Sequence, residues 1–171
     1  PNAPVGSEAE LTVTIMLDLL KNVSNMNAQL KAGQWNKMSG CMLQNKKIGI
    51  IGMGRIGQKV ASLLQGFEVQ IAYTDIEQKE LPYSFMCKEE LLKWADVISI
   101  HSSACEEGGY IIGEEDICHM KKDAYLVNTS RGRFIDEKAL YRAFKEKRIQ
   151  GAALDVFAEE PYRGELSGLD N

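Results

Sequence analysis

Short apolar runs alternate with segments of helical periodicity along most of this chain. Residues 47–51 (KIGII) form an apolar run that is typical of a strand buried on both faces. A glycine-rich turn comes next, and apolar residues then recur with helical spacing from Ile56 to Leu64. Further strands are predicted at residues 69–73, 96–101, 124–128 and 151–154. Strands that alternate with helices in this way predict βαβ units and a parallel sheet.

The N-terminal segment is predicted to form one long helix. Ser7 followed three residues later by Glu10 is the pattern of a capping box at a helix start. We expect this helix to run to about Lys31 and to end at Gly33, because glycine is favoured just after a helix. Its apolar face is predicted to comprise Leu11, Ile15, Met16, Leu19 and Leu20.

Shorter helices are predicted at residues 89–94 and within residues 112–120. Asp136 is predicted to cap a further helix that runs to about Lys147, because its side chain can accept hydrogen bonds from the first amides of a helix. Leu140 and Phe144 would lie on the inner face of that helix. Loops are predicted at residues 34–45 and 161–171.

The turn after the first strand carries the most informative motif. Residues 52–57 (GMGRIG) fit the pattern GxGxxG between a predicted strand and a predicted helix. In a dinucleotide site Gly52 permits the tight turn, Gly54 lets a pyrophosphate approach the backbone, and Gly57 lets the helix lie close to the strand. The amides at the start of the helix would then face the phosphates. The alternative is a glycine-rich turn that binds nothing.

A carboxylate completes this fingerprint. Asp75 lies 23 residues after Gly52, at the end of the next predicted strand. Its side chain would accept hydrogen bonds from the hydroxyls of the adenosine ribose. A phosphate on the ribose 2′ position would meet a like charge, so the sequence predicts NAD as the cofactor in preference to NADP.

Three segments resemble one known family in order and spacing. They are residues 48–58 (IGIIGMGRIGQ), residues 127–132 (VNTSRG) and residues 151–157 (GAALDVF) with the following Glu160 and Pro161. They are similar to the signatures of the D-isomer-specific 2-hydroxyacid dehydrogenases, and the similarity covers nearly the whole chain. The resemblance implies a Rossmann-type doubly wound parallel sheet of the α/β class that forms the NAD-binding domain of a larger, two-domain enzyme.

The resemblance also implies catalytic roles. Arg131 matches the arginine that holds the substrate carboxylate and polarises the 2-oxo group, a task suited to a planar, two-pronged cation. Glu160 matches the glutamate that pairs with a catalytic histidine, and Glu159 is the adjacent alternative. The substrate would be a 2-hydroxy or 2-oxo acid, with hydride exchanged with NAD.

Cofactor contacts are expected from the fingerprint and the resemblance together. The expected residues are Gly52, Gly54, Arg55, Ile56, Gly57, Asp75, His101, Thr129 and Asp155. The resemblance places Asp155 near the nicotinamide carboxamide. It also places His101 beside the cofactor without a part in proton transfer, and His119 is expected to be structural.

Two departures from the family pattern stand out. Residues 101–105 (HSSAC) replace the usual His-x-Pro followed by Thr. The family also continues from a segment like residues 166–171 into a Thr-Pro-His that carries the acid/base histidine. We therefore expect a severed cofactor domain that lacks this histidine and the substrate domain. Its expected parts are an interdomain-type helix (1–33), a Rossmann core (46–160) and a truncated C-terminal segment (161–171).

Composition narrows the remaining classes of function. A net charge of −4 and the lack of long basic runs argue against nucleic-acid or membrane-surface partners. Four cysteines without a CxxC pair and only two histidines predict no metal site, a reducing cytoplasm and cysteines that are small buried hydrophobes. The family implies a homodimer. An NAD-sensing, corepressor-like protein of the same fold is the alternative function, and a fragment that binds no ligand is a second one.

Overall fold

A computed structural model describes residues 4–103 and 109–169 of the chain. Its centre is a six-stranded sheet in which every neighbouring pair of strands is parallel, in the order β3-β2-β1-β4-β5-β6. The strands are β1 (Lys47–Ile51), β2 (Gln70–Thr74), β3 (Ser84–Phe85), β4 (Val97–Ile100), β5 (Tyr125–Asn128) and β6 (Gly151–Leu154). This order is that of a doubly wound dinucleotide-binding fold, and it confirms the predicted fold class.

Helices cover both faces of the sheet. They are α1 (Pro4–Lys21), α2 (Val23–Lys31), α3 (Arg55–Leu64), α4 (Lys88–Trp94), α5 (Glu114–His119) and α6 (Glu137–Lys145), with short 3-10 helices at Gln65–Phe67, Gly132–Phe134 and Glu165–Gly168. One apolar core lies between the sheet and α1 with α3, and a second lies between the sheet and α4, α5 and α6. The central strands β1, β4 and β5 are therefore buried on both faces, as apolar runs in a covered parallel sheet predict, whereas the edge strand β3 is exposed.

The order in which the chain adds strands to the sheet reverses between β1 and β4. The chain builds β1, β2 and β3 towards one edge and then returns to place β4 on the other side of β1. Ligands of such sheets bind outside the carboxyl ends of the strands at this switch point. The glycine turn after β1 and His101 after β4 both lie there, and the His101 amide donates to the Ile51 carbonyl at 2.7 Å.

The N-terminal helix differs from the prediction at its start and near its middle. It begins at Pro4 instead of Ser7, so the expected capping box lies inside the helix. Proline suits a helix start because the first amides have no partner within the helix. The helix also breaks at Asn22, which adopts a left-handed φ of 55° that asparagine tolerates better than most residues. The Asp18 side chain accepts from the Ser24 amide across this break, at 2.9 Å.

The predicted apolar face of α1 is confirmed for Ile15, Met16, Leu19 and Leu20 but was wrong for Leu11. Ala9, Thr12, Met16 and Leu20 are buried, whereas Leu11 is 36% exposed. Spacing alone placed Leu11 on the inner face because it lies four residues before Ile15. Ala9 instead packs in the core between α1, α3 and the sheet, and the Thr12 hydroxyl lies against that of Thr129 at the end of β5.

Other differences are small. Most predicted strands and helices end within one or two residues of the observed ones, and Asp136 caps α6 by accepting from the amides of Lys138 and Ala139. The two-residue β3 and the 3-10 helix at Glu165–Gly168 were not predicted. Cys41, Cys87 and Cys118 are exposed, so the expectation of buried cysteines was wrong for them. Ala104 and Cys105, part of the unusual HSSAC segment, lie outside the described residues.

Candidate cofactor and substrate site

The glycine turn is formed by conformations and close contacts that only glycine permits. Gly52 has a φ of +92°, and a Cβ atom there would lie 2.7 Å from the backbone of His101. A Cβ on Gly57 would overlap the Gly52 carbonyl oxygen, so α3 can approach β1 only without a side chain there. Gly54 has open space where a Cβ would be, within 4 Å of nothing. The geometry agrees with the separate task expected of each glycine.

Asp75 is tied to the glycine turn. Its Oδ2 atom accepts from the Met53 amide at 2.9 Å, and its Oδ1 atom accepts from the Ile76 amide at 2.8 Å. Lys79, which the sequence did not single out, donates from Nζ to the same Oδ2 atom and to the Met53 carbonyl at 3.0 Å. The carboxylate therefore joins the end of β2 to the glycine turn after β1.

These contacts keep Asp75 ionised. Partial burial is the largest single influence on the Asp75 carboxyl and raises its pKa, but the hydrogen bonds from Lys79, Ile76 and Met53 together outweigh it. The net result is a pKa below the usual value. A carboxylate that is charged at neutral pH suits an acceptor of ribose hydroxyls.

His101 is buried and neutral. Its Nε2 atom lies 2.8 Å from the Ser99 hydroxyl, and burial lowers its pKa from 6.5 to about 4. Its Nδ1 atom is buried without a hydrogen-bond partner in the described part of the chain. A neutral imidazole with one unsatisfied nitrogen suits a residue that lies beside a ligand. It does not suit a residue that donates a proton at neutral pH.

Thr129 connects the end of β5 to the first helix. Its hydroxyl lies 2.9 Å from that of Thr12, and both side chains are buried. The Thr12 hydroxyl donates to the Glu8 carbonyl at 2.8 Å, so Thr129 must be the donor between the two threonines. The remaining lone pairs of Thr129 can only accept a hydrogen bond.

Arg131 follows β5 in a turn held by polar side chains. Buried Asn128 donates to the Arg131 carbonyl at 2.9 Å and accepts from the Ser130 amide at 3.0 Å. The Ser130 hydroxyl donates to the Ile100 carbonyl at 2.6 Å. The Arg131 guanidinium itself is exposed and donates only to the Ser130 carbonyl, at 2.7 Å, among the described residues.

Glu160 lies on the loop after β6, which touches the Arg131 turn. A Cβ on Gly132 would overlap the backbone of Phe157 and Ala158, so the absence of a side chain at Gly132 allows this contact. The exposed Glu160 carboxylate accepts from the Phe157 amide of its own loop at 3.1 Å. The structure thus brings the loops of Arg131 and Glu160 together, whereas each of the two side chains bonds within its own loop.

The other predicted residues occupy the same edge of the sheet. Arg55 is exposed at the start of α3, while Ile56 is partly buried against the core under that helix. The Asp155 amide donates to the Asn128 carbonyl at 3.0 Å. Asp155 also lines a groove of about 830 Å³ beside β6, away from the glycine turn.

Sequence reasoning missed the residues that support this site. They are Lys79, Ser99, Asn128 and Gly132. Lys79 and Gly132 act through contacts with the distant Met53 and Phe157, which spacing in one sequence does not reveal. Asn128 alone had a local signal, because an asparagine two residues before a serine can accept from the Ser130 amide as part of a turn.

The arrangement fits a dinucleotide. Open space lies beside Gly54, and the first amides of α3 have no partners within the helix. Over residues 4–103 and 109–169 no group of three or more His, Cys, Asp or Glu side chains is placed to hold a metal ion. No helix in that same part of the chain is long and apolar enough to cross a membrane.

The profile of one protein family matches residues 13–171, and its description is "D-isomer specific 2-hydroxyacid dehydrogenase, NAD binding domain". A D-3-phosphoglycerate dehydrogenase of Methanocaldococcus jannaschii is 43% identical over all of this chain, which covers 34% of that relative. The chain therefore spans about a third of the length of this curated relative.

Solved structures agree with that family. The TT0316 protein from Thermus thermophilus superposes with a TM-score of 0.93 at 35% identity, over 99% of this chain and 57% of that one. An NADPH-dependent glyoxylate/hydroxypyruvate reductase from Sinorhizobium meliloti, in complex with NADP and malonate, gives a TM-score of 0.93 at 25% identity, over 99% and 56% of the two chains. The chain belongs to the D-isomer specific 2-hydroxyacid dehydrogenases and is their NAD-binding domain.

Proposed function

We propose that this chain binds NAD(H) for the reversible reduction of a 2-oxo acid to a D-2-hydroxy acid in a longer protein. The observation that carries the proposal is the meeting of the glycine turn, Asp75 and the Arg131 turn at one edge of the sheet. Phosphoglycerate dehydrogenation and glyoxylate or hydroxypyruvate reduction, named for the similar proteins, are the reactions to test first.

The glycine turn would hold the pyrophosphate. Gly52, Gly54 and Gly57 leave the backbone accessible, and the start of α3 with Arg55 and Ile56 would face the phosphates. Asp75 would accept from the adenosine ribose. This arrangement would direct the cofactor along the carboxyl edge of the strands.

The nicotinamide end would then lie near the ends of β4, β5 and β6. His101, Thr129 and Asp155 follow these three strands. Thr129 would contact the cofactor only as an acceptor, since its proton bonds Thr12. Bound NADH supplies the hydride to the 2-oxo carbon.

Arg131 would bind the substrate. Its guanidinium can turn from the Ser130 carbonyl towards a carboxylate, which it would hold by two parallel hydrogen bonds. The same cation would stabilise the negative charge that develops on the 2-oxo oxygen. The Asn128 contacts fix the backbone from which this side chain extends.

Proton transfer needs an acid/base group, and the family pattern assigns it to a histidine imidazole that Glu160 would orient. A carboxylate beside an imidazole raises the pKa of the imidazole and fixes its tautomer. Buried, neutral His101 does not suit the proton-donor role, and His119 ends α5 at the opposite edge of the sheet, before β5 begins. The family's acid/base histidine would follow the segment at residues 166–171.

The chain would act as one part of a larger assembly. We propose residues 1–33 as an interdomain-type segment, residues 46–160 as the core and residues 161–171 as the start of a return segment. Exposed apolar side chains in and after α2, including Trp35 at 84% exposure and Met42 at 61%, support a homodimer, and the four cysteines without a CxxC pair support the cytoplasm. Light scattering during size-exclusion chromatography tests the dimer, and a monomer at micromolar concentration would contradict it.

Binding and turnover test the main proposal separately. NADH titration of this chain, followed by energy transfer from Trp35 and Trp94, should show saturable binding. The chain should oxidise NADH with pyruvate, glyoxylate or hydroxypyruvate at a rate lower by at least about 100-fold than the longer protein, because a missing general acid typically costs that much. Absence of NADH binding would contradict the cofactor role. Turnover by the chain that His101→Ala abolishes would instead make His101 the acid/base residue.

A further inference from the structure

The ammonium group of Lys79 lies inside the region predicted to bind the adenosine ribose. It lies 2.5 Å from Asp75 Oδ2 and 3.0 Å from the Met53 carbonyl oxygen. The Lys79 side chain is 32% exposed and that of Asp75 is 14% exposed. The pair is therefore accessible to a ligand, yet it contacts the glycine turn directly.

The backbone of Lys79 is fixed by a buried tyrosine. The Tyr73 hydroxyl accepts from the Lys79 amide at 2.8 Å and donates to the Lys79 carbonyl at 3.0 Å. The Tyr73 ring is fully buried and makes an edge contact with Phe85 at 5.4 Å between ring centres. The position of Lys79 beside Asp75 thus depends on the fold and not only on the attraction between the two charges.

The hydrogen-bond capacity of Asp75 is largely used before any ligand binds. A carboxylate accepts about four hydrogen bonds. Oδ2 accepts from Met53 and Lys79, and Oδ1 accepts from Ile76, so about one acceptor position remains. The Lys79 ammonium has three donors. Two of these are used within the described part of the chain, and one remains for an oxygen of the ligand.

We propose that Lys79 is a second determinant of cofactor choice, whose ammonium group donates to the oxygen on the ribose 2′ carbon, a hydroxyl in NAD(H) and a phosphate in NADP(H). This inference rests on the proposed cofactor role. Asp75 and Lys79 together present one acceptor, one donor and no net charge to that position. The pair should therefore repel a 2′-phosphate much more weakly than an aspartate without a lysine partner would.

The pair and the lone aspartate lead to different cofactor preferences. Asp75 by itself predicts near-exclusion of NADPH, whereas the pair predicts a preference for NADH with measurable NADPH binding. The contact with the doubly charged phosphate should also weaken more steeply with salt than the contact with a hydroxyl, because Lys79 is partly exposed. NADPH affinity should therefore fall faster than NADH affinity as salt is raised.

Titration of this 171-residue chain with NADH and NADPH tests the role of Lys79. Lys79→Gln should weaken NADPH binding by about tenfold, the size of one charge-assisted contact, and NADH binding by less than about threefold. Lys79→Arg should keep NADPH binding within about threefold of the unmutated chain. Lys93→Gln is the matched control, because Lys93 forms a 2.5 Å ion pair with Glu89 at the same spacing on the exposed face of α4. It should change neither affinity.

A second series separates direct contact from simple neutralisation of Asp75. In an Asp75→Asn background, Lys79→Gln should still weaken NADPH binding by more than about threefold. No effect in that background, or an unchanged NADPH to NADH ratio in the single variant, would overturn the inference while NADH binding itself stays intact. Failure of the unmutated chain to bind either dinucleotide would contradict the proposed function as well. Thermal unfolding of each variant checks that the fold is retained.

Discussion

The glycine turn and the Arg131–Glu160 loops lie at the same edge of one sheet, but they are stabilised in different ways. In the glycine turn, groups from separate strands bond to one another: the Gly52 amide donates to Thr74, and Asp75 accepts from Met53. In the Arg131–Glu160 loops, by contrast, the two side chains are exposed, and among the described residues each bonds only within its own loop.

This difference separates what each region can do within the chain. The groups expected to face the cofactor are already ordered, so binding does not have to order them. The backbone under Arg131 is ordered by Asn128, but its guanidinium still has to be fixed by a ligand. Ordering such a long side chain costs up to about 2 kcal/mol. We therefore expect cofactor affinity, and not substrate affinity, to be a property of this chain.

The largest expected effect comes from a side chain in the open space of the glycine turn. Gly54→Val should weaken NADH binding by more than about 100-fold, because the branched side chain would occupy the volume that the pyrophosphate needs. The backbone at Gly54 is extended with φ −76°, and a Cβ there meets no atom within 4 Å, so the fold should survive. Calorimetric titration and thermal unfolding would measure the two effects.

Gly66→Val is the matched control for that variant. A Cβ at Gly66 would also meet no atom within 4 Å, and this residue lies in the exposed turn after α3. The substitution should leave NADH binding unchanged. A folded Gly54→Val chain with normal affinity would show that the glycine turn does not hold the pyrophosphate.

His101 follows β4, which lies between the strands that lead into the two regions, and this buried residue should make stability depend on pH. Its pKa is about 4 in the folded chain and 6.5 when exposed, so the unfolded chain binds more protons between these values. The contribution of His101 to the free energy of unfolding should be fully present above pH 6.5 and should be lost as the pH drops towards 4. The loss attributable to this group is at most about 3 kcal/mol.

Urea unfolding between about pH 7 and pH 4.5 would measure this effect. His101→Gln should flatten the pH dependence, while His119→Gln, at a side chain that is 38% exposed, should not. Parallel curves for the unmutated chain and His101→Gln would mean that the buried imidazole is not the source. Asp75 and Asp96 have lowered pKa values, so their contribution is lost mainly at still lower pH.

Substitution of Gly132 tests whether the close contact between its backbone and that of Phe157 stabilises the chain. Gly132→Ala should reduce the free energy of unfolding by about 2–3 kcal/mol, because its Cβ would overlap the backbone at Phe157. NADH affinity should stay within about threefold, since the glycine turn is untouched. Gly168→Ala, with open space around the new Cβ, is the control. Equal melting temperatures for Gly132→Ala and the unmutated chain would contradict the close contact.

The predictable part of the molecule is the part whose signals are local. A continuous apolar run such as residues 47–51 can be buried on both faces only inside a layered sheet, and the glycine motif predicts the tight turn and the helix start after that strand. Five of the six strands, the parallel sheet, the tight turn at Gly52 and the close helix approach at Gly57 were predicted for this reason, whereas the doubly wound order was predicted from the resemblance to the family. Roles for the individual site residues stay predictions, as do the boundaries of the three proposed parts.

The features that were missed have no recognisable local pattern in the sequence. Nothing near Lys79 in the sequence indicates that Tyr73 fixes its backbone or that its ammonium reaches Met53. The helix break at Asn22 needs a left-handed residue where the helical pattern simply continues. On α1, Ala9 is buried and Leu11 is 36% exposed, which helical spacing within the segment does not distinguish.

The smallest expected effect concerns the choice between cofactors. Asp75→Ala should weaken NADH binding by about tenfold and narrow the difference between NADH and NADPH, because the ribose loses an acceptor and a phosphate loses a like-charged neighbour. Asp96→Ala is the matched control. Asp96 also accepts from a backbone amide, that of Lys47, and from a lysine, Lys121, but it lies before β4 at the opposite edge of the sheet.

Asp96→Ala should lower stability without altering the ratio of the two affinities, whereas Asp75→Ala should alter that ratio. Both variants lose an ion pair with a lysine and at least one bond to a backbone amide, two in the case of Asp75, so a loss of stability common to both cannot account for a difference in cofactor choice. Equal affinity of the unmutated chain for NADH and NADPH would remove the discriminating role from Asp75. If Asp75→Ala and Asp96→Ala shifted the ratio equally, cofactor choice would depend on the overall charge of the chain and not on the ordered contacts of the glycine turn.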